Sequence, residues 1–415
     1  MSCFAQDVVR LNASDAREGD RFGSSVALHL DTIVVGASRD DHGGNDDAGS
    51  AYVFSRHLGG VDNWGQVIKL TASDADADDL FGFAVSVHGD IAIVGAVGTD
   101  DGGSGSGSAY VFSRHQGGPD NWGQLTELTA FDAAPGDAFG HSVSLHGDTV
   151  VVGARGHDGN RGAAYLFSRN QGGVNSWGQV TKLTVADAAS GDFFGFSVSL
   201  HGETVVIGAS GVNSISGIDT GAAYLFSRDQ GGSDNWGQVL QLTASDGVPL
   251  DEFGRSVSVH GDLAVIGSWL DNDGGTHSGS AYLFSRHHGG IDNWGEVKKL
   301  TASDASTADF FGEAVSVHEQ TVLVGATNSD SFAMETGAVY LYSRTEGGVN
   351  NWGEVTKLTV SNLEQGDSFG VSIAQDMSTA VIGAEWSDYR FMTTGLAYVL
   401  FGGPIGDLIF QDSLE

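Results

Sequence analysis

The sequence predicts an all-β fold: a seven-bladed β-propeller with four antiparallel strands in each blade and a ring closed by the N-terminal strand. Three observations lead to this prediction. One sequence unit recurs seven times, each complete unit contains four short segments with strand patterns, and the strand missing from the last unit is found at the start of the chain. Repeats of four strands are typical of propeller blades, which bury their faces only against neighbouring blades.

A Phe-Gly pair begins each repeat, and successive pairs are 55 to 59 residues apart. Fourteen residues after each Phe comes a Gly that ends an apolar run and precedes Ala, except in the fifth copy, which has Gly267-Ser268. The period is constant enough to define one structural unit. The Phe residues of the seven pairs are Phe22, Phe81, Phe139, Phe194, Phe253, Phe311 and Phe369.

Four strands are predicted in each unit. The segments FGFAVSVHG and DIAIVGA meet at Gly89-Asp90, a turn dipeptide that favours a two-residue hairpin. The segments SAYVFSR and WGQVIKLT alternate with a period of two and are separated by a Gly-rich loop containing DNWG. The spacing therefore predicts a four-stranded antiparallel blade.

The two ends of the chain complement each other. The last unit ends after LAYVLFG, and the segment QDVVRLNASD near the N-terminus matches the fourth-strand segment GQVIKLTASD. Pairing them would complete blade seven and remove an exposed sheet edge. We expect residues 6–403 to form one propeller, residues 1–5 to be the remnant of an export signal, and residues 404–415 to be a short tail.

Charge limits the classes of partner. The chain has 19 basic and 53 acidic residues, a formal net charge of −34. Such a surface repels nucleic acids and anionic lipids, and no apolar run reaches the length of about 18 residues that a membrane span needs. We therefore expect no nucleic acid partner and no membrane insertion. Cations, neutral glycans and basic protein surfaces remain, and a closed propeller is expected to be a monomer.

The repeats resemble those of the FG-GAP family, known from the seven-bladed propeller of integrin α subunits, and are most similar to a bacterial-type variant. The pattern LTASDADADDLFGFAVSVHGDIAIVGA, residues 70–96, carries the resemblance and recurs with changes in every blade. The resemblance implies a secreted or cell-surface protein with an adhesion or ligand-binding role. Integrin-type repeats have a DxDxDG calcium loop where this chain has only a tight turn, so that calcium site is not carried over.

Features repeated in every blade are interpreted as scaffold. An Asp two positions before each Phe-Gly pair, and an Asp seven positions before it (Asn362 in the last copy), are expected to close Asx turns, although a ring of cation-binding carboxylates is the alternative. The Trp of each DNWG loop is expected to pack between blades, with the preceding Arg pairing with loop carboxylates such as Asp62. Six histidines before the tight turns are expected to be turn or surface residues, too far apart to share one metal ion.

The loops between the second and third strands differ between blades, which makes them the candidate functional loops. They should emerge on the same face as the Asp-rich loops. Two of them are acidic and could supply the oxygen ligands that Ca²⁺ prefers. The candidate metal residues are Asp40, Asp41, Asp46 and Asp47 in blade one and Asp271 and Asp273 in blade five.

Aromatic residues mark the same loops of the last three blades. We expect them to form one exposed sector suited to sugar stacking or to a protein interface, while filling of gaps between longer loops is the alternative. The candidate ligand-binding residues are Trp269 in blade five, Phe332 in blade six, and Trp386, Tyr389 and Phe391 in blade seven.

No catalytic motif is recognisable, since GxSxG, HExxH, a phosphate loop and CxxC are all missing from the sequence. We therefore expect a binding or adhesion module for a glycan or protein, with Ca²⁺ as the one candidate cofactor, and not an enzyme. Two alternatives stay open: a secreted polysaccharide hydrolase or lyase built on a propeller, and a passive structural propeller.

Overall fold

The computed structural model describes residues 7–214, 217–330, 335–389 and 392–402, without the side chains of residues 388, 389 and 392. These residues form seven four-stranded antiparallel sheets arranged as the blades of a ring. The predicted fold class is confirmed. The predicted export-signal remnant and C-terminal tail lie outside the described residues.

The strands follow the chain order. Blades one to three contain β2 Phe22–His29, β3 Thr32–Ala37, β4 Ser50–Ser55, β5 Gly65–Leu70, β6 Phe81–His88, β7 Ile91–Ala96, β8 Ser108–Ser113, β9 Gly123–Leu128, β10 Phe139–His146, β11 Thr149–Ala154, β12 Ala163–Ser168 and β13 Gly178–Leu183. Blades four to six contain β14 Ser197–His201, β15 Thr204–Ala209, β16 Ala222–Ser227, β17 Gly237–Leu242, β18 Val257–His260, β19 Leu263–Ser268, β20 Ser280–Ser285, β21 Gly295–Leu300, β22 Phe311–His318, β23 Thr321–Ala326, β24 Ala338–Ser343 and β25 Gly353–Leu358. Blade seven contains β26 Ile373–Asp376, β27 Thr379–Ala384, β30 Leu396–Phe401 and the N-terminal strand β1 Asp7–Leu11.

Two small elements lie in the loops between second and third strands. A single helical turn, α1 His157–Asn160, belongs to blade three, and a short hairpin of β28 Asp388–Tyr389 and β29 Met392–Thr393 belongs to blade seven. In the described part of the chain, no helix has the length and apolar character to cross a membrane.

The first two strands of each blade form the predicted tight hairpin. In blade two, His88 pairs with Ile91, and Gly89 occupies the turn with a φ of 60°. Every residue of β7 is buried, as expected for a strand covered on both faces by neighbouring blades. The fourth strand is only partly buried, which fits its place at the outer edge of the ring.

The recurring glycines permit close contact between blades. A Cβ atom added to Gly95 would lie 2.1 Å from the carbonyl oxygen of Gly140 in the next blade. Beside this contact, Phe139 is fully buried and shares an apolar cluster with Ile93 of blade two and Trp177 of blade three. The Gly-Ala, Phe-Gly and Trp repeats are therefore explained by inter-blade packing, as predicted for Trp.

The ring closes as the sequence predicts. Strand β1 pairs with β30 over five residue pairs, from Asp7 with Phe401 to Leu11 with Ala397. The backbone N–H of Phe22 donates to the carbonyl of Thr394 at 3.0 Å, so the first blade also contacts the last. Both ends of the described chain lie in blade seven, so blade seven has its four strands and packs against blade one.

Candidate functional site

The seven innermost strands surround a central channel. Residues from the last halves of these strands enclose a cavity of 430 Å³. We call the end at which the innermost strands begin, with their Phe-Gly pairs, the channel mouth. The opposite end, where these strands finish at the tight turns, we call the channel base.

Six histidines form a ring at the channel base. Successive imidazole centroids lie 4.3 to 4.7 Å apart. The expectation of separate turn or surface residues is therefore wrong, because the innermost strands converge on the axis and bring residues nearly 60 positions apart into contact. The ring members are His29, His88, His146, His201, His260 and His318.

Backbone groups fix the orientation of these rings. The N–H of Gly89 donates to Nδ1 of His29 at 3.1 Å, and four further histidines accept from the next blade in the same way. A nitrogen that accepts carries no proton, so the neutral ring has its proton on Nε2. In blade seven Asp376 takes the equivalent place, accepting the N–H of Leu30 at 2.6 Å and lying 3.4 Å from Nε2 of His318.

This environment disfavours the charged form of the histidines. Burial and then the neighbouring imidazoles lower the pKa of His88 and of His201 to about 4. Burial also lowers the pKa of His29, His146 and His260. These five histidines are therefore neutral at pH 7.

At the channel mouth, the residues that follow the Phe-Gly pairs of blades two to six contact one another across blade boundaries. The rings of Phe83 and His141 are 5.1 Å apart, and those of His141 and Phe196 are 4.8 Å apart. The guanidinium of Arg255 lies 4.7 Å from the ring centroid of Phe196 and approaches Glu313 at 3.8 Å. These side chains form a continuous arc from blade two to blade six.

Trp269, predicted as a ligand-binding residue, joins this arc and is not an isolated exposed ring. The guanidinium of Arg255 lies 4.4 Å from its ring centroid, Phe310 packs at 5.1 Å, and its Nε1–H donates to Glu252 at 2.9 Å. A partly buried Trp with its N–H already bonded offers a fixed apolar surface to a ligand.

Trp386, the second predicted Trp, is 41% exposed and stacks on the guanidinium of Arg21 at 4.4 Å. Its neighbour Glu385 has a raised pKa because it is buried. Tyr389 lies in strand β28, but its side chain is outside the described residues, as are Phe332 and Phe391. The contiguous aromatic sector is thus tested by the structure only at its two tryptophans.

The acidic loop of blade one is built around a lysine. Asp40 is buried, accepts the hydroxyl of Ser50 at 2.6 Å and lies 2.7 Å from Nζ of Lys69, which also contacts Asp15 at 2.7 Å. The ammonium group of Lys69 therefore lies beside Asp40, where the sequence predicts a calcium ion.

The other acids of this loop have separate positions. Asp41 accepts the backbone N–H of Asp47 at 2.9 Å, and Asp47 lies 3.7 Å from Arg39. Asp46 and Asp41 line a shallow pocket beside the loop. The backbone carbonyl of Asp46 accepts the N–H of Asp78, which confirms that this loop lies on the same face as the Asp-rich loop of the next blade.

Blade five repeats the lysine arrangement. Nζ of Lys299 lies 2.9 Å from Asp271, 2.6 Å from Asp273 and 2.8 Å from Asp246. Burial opposes the charge of Lys299, but the hydrogen bonds to these carboxylates outweigh it and raise its pKa. Among the described residues, no group of three or more His, Cys, Asp or Glu side chains is arranged to bind a metal ion. Calcium binding stays a prediction, and it requires the ion to displace a lysine.

The repeated aspartates fall into two classes. Those two positions before Phe-Gly each accept a backbone N–H three residues earlier, at 2.6 to 3.0 Å, as the Asx-turn interpretation predicts. Of those that stand seven positions before Phe-Gly, four instead accept a tyrosine hydroxyl, as Asp15 does from Tyr52 at 2.9 Å. The first class closes turns, and the second orients the Tyr and Lys of its blade.

Sequence reasoning missed the channel mouth. Its charged and aromatic residues lie directly after Phe-Gly or after Gly-Ala, next to positions that scarcely change. The signal that could have found them is the variation itself, since these positions differ from blade to blade while their neighbours recur. The missed residues are Phe83, His141, Arg155, Phe196, Arg255, Glu313 and Glu385.

By its fold, this protein is a seven-bladed β-propeller in which the innermost strand of each blade follows or begins with a Phe-Gly pair. Seven segments match the model of the FG-GAP repeat: residues 6–54, 64–112, 122–167, 177–226, 236–284, 294–342 and 352–401. The chain therefore belongs to the FG-GAP repeat family. Repeats of this family are typical of extracellular proteins. No curated protein matches the chain.

Proposed function

We propose that this protein is a secreted or cell-surface binding module that recognises a glycan or a protein ligand through the channel mouth and the loops around it. One observation carries the proposal: the residue after Phe-Gly varies between blades, with six residue types at seven positions, although the pair itself recurs. The variable residues are Ser24, Phe83, His141, Phe196, Arg255, Glu313 and Val371.

The chemistry of these positions supports binding. Packing accounts for the repeated Phe and Gly, but the fold does not demand a particular side chain at the position that follows. Phenylalanine, histidine, arginine and glutamate are used there, and they touch across blade boundaries. Aromatic and arginine side chains are the types that contribute most binding energy in protein interfaces.

The test is a panel of glycans and extracellular proteins, screened for binding and for turnover. We expect binding without turnover, and we expect Trp269→Ala and Trp386→Ala to weaken it at least tenfold. Ile291→Ala is the control, because Ile291 is 91% exposed in the loop between the third and fourth strands of blade five, at the channel-base end. Equal binding by all three variants would contradict the assignment of the site, and turnover would contradict the assignment as a binder.

A further inference from the structure

Two arginines converge on one aromatic ring at the channel mouth. The guanidinium carbon of Arg255 lies 4.7 Å from the ring centroid of Phe196, and that of Arg155 lies 5.8 Å from the same centroid. Arg155 also lies 5.9 Å from the ring of Phe193. Two cations are therefore placed beside one apolar surface, and each repels the other.

Arg155 lacks an anionic partner within the described part of the chain. Its Nε is buried without a hydrogen bond, and none of the ion pairs among the described residues includes it. Burial and then the charge of Arg255 lower the pKa of Arg155. Arg255 approaches Glu313 only at 3.8 Å, which is longer than a hydrogen bond.

This arrangement is unusual for a chain with 53 acidic and 19 basic residues. Several of its other arginines lie close to carboxylates: Nε of Arg56 lies 2.6 Å from Asp62, and Arg161 lies 2.7 Å from Asp158. Partly burying a guanidinium without a counter-ion costs free energy. An anion supplied by a ligand would remove that cost.

The surroundings indicate which anion. The planar fork of a guanidinium matches a carboxylate in a bidentate manner, and the partly exposed rings of Phe196 and Trp269 offer apolar surface beside it. Burial and then Arg155 lower the pKa of His141 to about 3, so it is neutral. Its Nδ1 lies 3.0 Å from the carbonyl of Phe196 and must donate to it, which leaves Nε2 as an acceptor for a hydroxyl group.

Building on the proposed function, we propose that Arg155, Phe196 and Arg255 bind the carboxylate of a uronic acid residue in an acidic polysaccharide, with Trp269 and His141 contacting the sugar ring. This narrows the sequence-based preference for cations, neutral glycans and basic surfaces. The net charge of −34 acts at long range and is screened beyond about 8 Å at physiological salt. The two arginines act at contact distance.

The experiment titrates the full chain with tri-galacturonate and with the uncharged galactose trimer at physiological salt, followed by calorimetry and Trp fluorescence. We expect binding of the uronate alone, weakened at least tenfold by Arg155→Gln and by Arg255→Gln. Arg155→Lys should weaken it less, because it keeps the charge but not the fork. Arg169→Gln is the matched control, because it removes the same charge from a paired arginine of the same blade. Arg169 lies in the loop between the third and fourth strands, at the channel-base end, 3.4 Å from Asp148.

Folding is checked by the melting temperature, which Arg155→Gln should leave unchanged or raise, since an unpaired charge is removed. Binding of the neutral trimer as tightly as the uronate, or unchanged uronate binding by both Gln variants, would overturn the inference. Binding of poly-glutamate but not of uronate would overturn the assignment to a sugar. The outcome of the Trp269→Ala and Trp386→Ala test does not depend on these results. The proposal of a uronic acid ligand can therefore fail while the proposal of a binding module stands.

Discussion

The histidine ring at the channel base makes the stability of this propeller depend on pH. In the folded protein the pKa of His88 and of His201 is lowered to about 4, whereas histidine in an unfolded chain titrates near pH 6.5. Between these values the unfolded chain binds protons that the folded protein does not. The free energy of unfolding should therefore have its largest value above about pH 6.5 and should fall as the pH is lowered towards about 4.

The size of the effect follows from the shifts. A change of about 2.5 pKa units corresponds to roughly 3.4 kcal/mol for each ring. Both rings are partly exposed to solvent, and solvent screening should reduce this to about 1 to 2 kcal/mol each. His88 and His201 together would then remove about 2 to 4 kcal/mol between pH 7 and pH 4, a large part of the stability of an ordinary domain.

Carboxyl groups act in the opposite direction and must be separated from this effect. Burial, as the largest cause, raises the pKa of Asp20 and of Asp251 to about 6, so these groups favour the fold as the pH falls towards their unfolded values. The difference between the wild type and a histidine variant cancels that contribution. We choose His88→Asn, because the Asn oxygen can replace Nδ1 as the acceptor for the backbone N–H of Gly147.

The assay is urea unfolding from about pH 7.5 to about pH 4.5, with His288→Asn as the control because His288 is exposed. We expect the wild type and the control to lose about 1 to 2 kcal/mol more than His88→Asn over this range. Identical slopes for all three proteins would refute the reasoning, since the imidazole would then bind protons equally in both states.

Three further predictions concern the repeated scaffold. Burial and then Asp101 raise the pKa of Glu127 to about 7, and four other blades have lysine at the position of Glu127. The variant Glu127→Lys should therefore stabilise the fold by about 1 kcal/mol at pH 8, as measured by thermal melting. Lys299→Met leaves the carboxylate of Asp271 unpaired and should cost about 3 to 5 kcal/mol in EDTA, with part of the loss recovered in millimolar calcium. Gly95→Ala should cost at least about 1 to 3 kcal/mol, because its methyl group meets the carbonyl of Gly140.

Each of these has a clear contrary outcome. A lower melting temperature for Glu127→Lys would mean that blade two cannot accommodate the lysine arrangement of blade one. A calcium-dependent rise in the wild type equal to that of Lys299→Met would show that the ion binds without displacing lysine. Unchanged stability of Gly95→Ala would mean that the blades can separate slightly without loss.

The propeller could be predicted because every blade must satisfy the same packing constraint. Phe139, Gly140 and Trp177 recur because the neighbouring blade lies against each of them, and seven copies make the pattern unmistakable. The turn aspartates could be assigned for a related reason, since the Asx turn is local. The N-terminal segment also matches the fourth strand that the last repeat lacks, and it pairs with β30 as a closed ring requires.

The contacts of the candidate site could not be predicted in this way, because they join residues that only ring closure brings together. Asp40 and Asp271 suggest calcium ligands in the sequence, but the lysine of the fourth strand is about 30 residues away and reaches the same point. The histidines were misplaced because their spacing along the chain hides their convergence on the axis. Local sequence identifies the residues, and topology decides their partners.

The seven blades also allow an internal comparison that a non-repeating domain lacks. Each position is tried seven times in nearly the same backbone, so a side chain that the fold requires recurs, and one that it does not require is free to vary. Arg155 and Arg255 stand where other blades have residues such as Val97 and Ser24, so the propeller can form without them. The carboxylate that we propose as a ligand would supply the counter-ion that Arg155 lacks among the described residues.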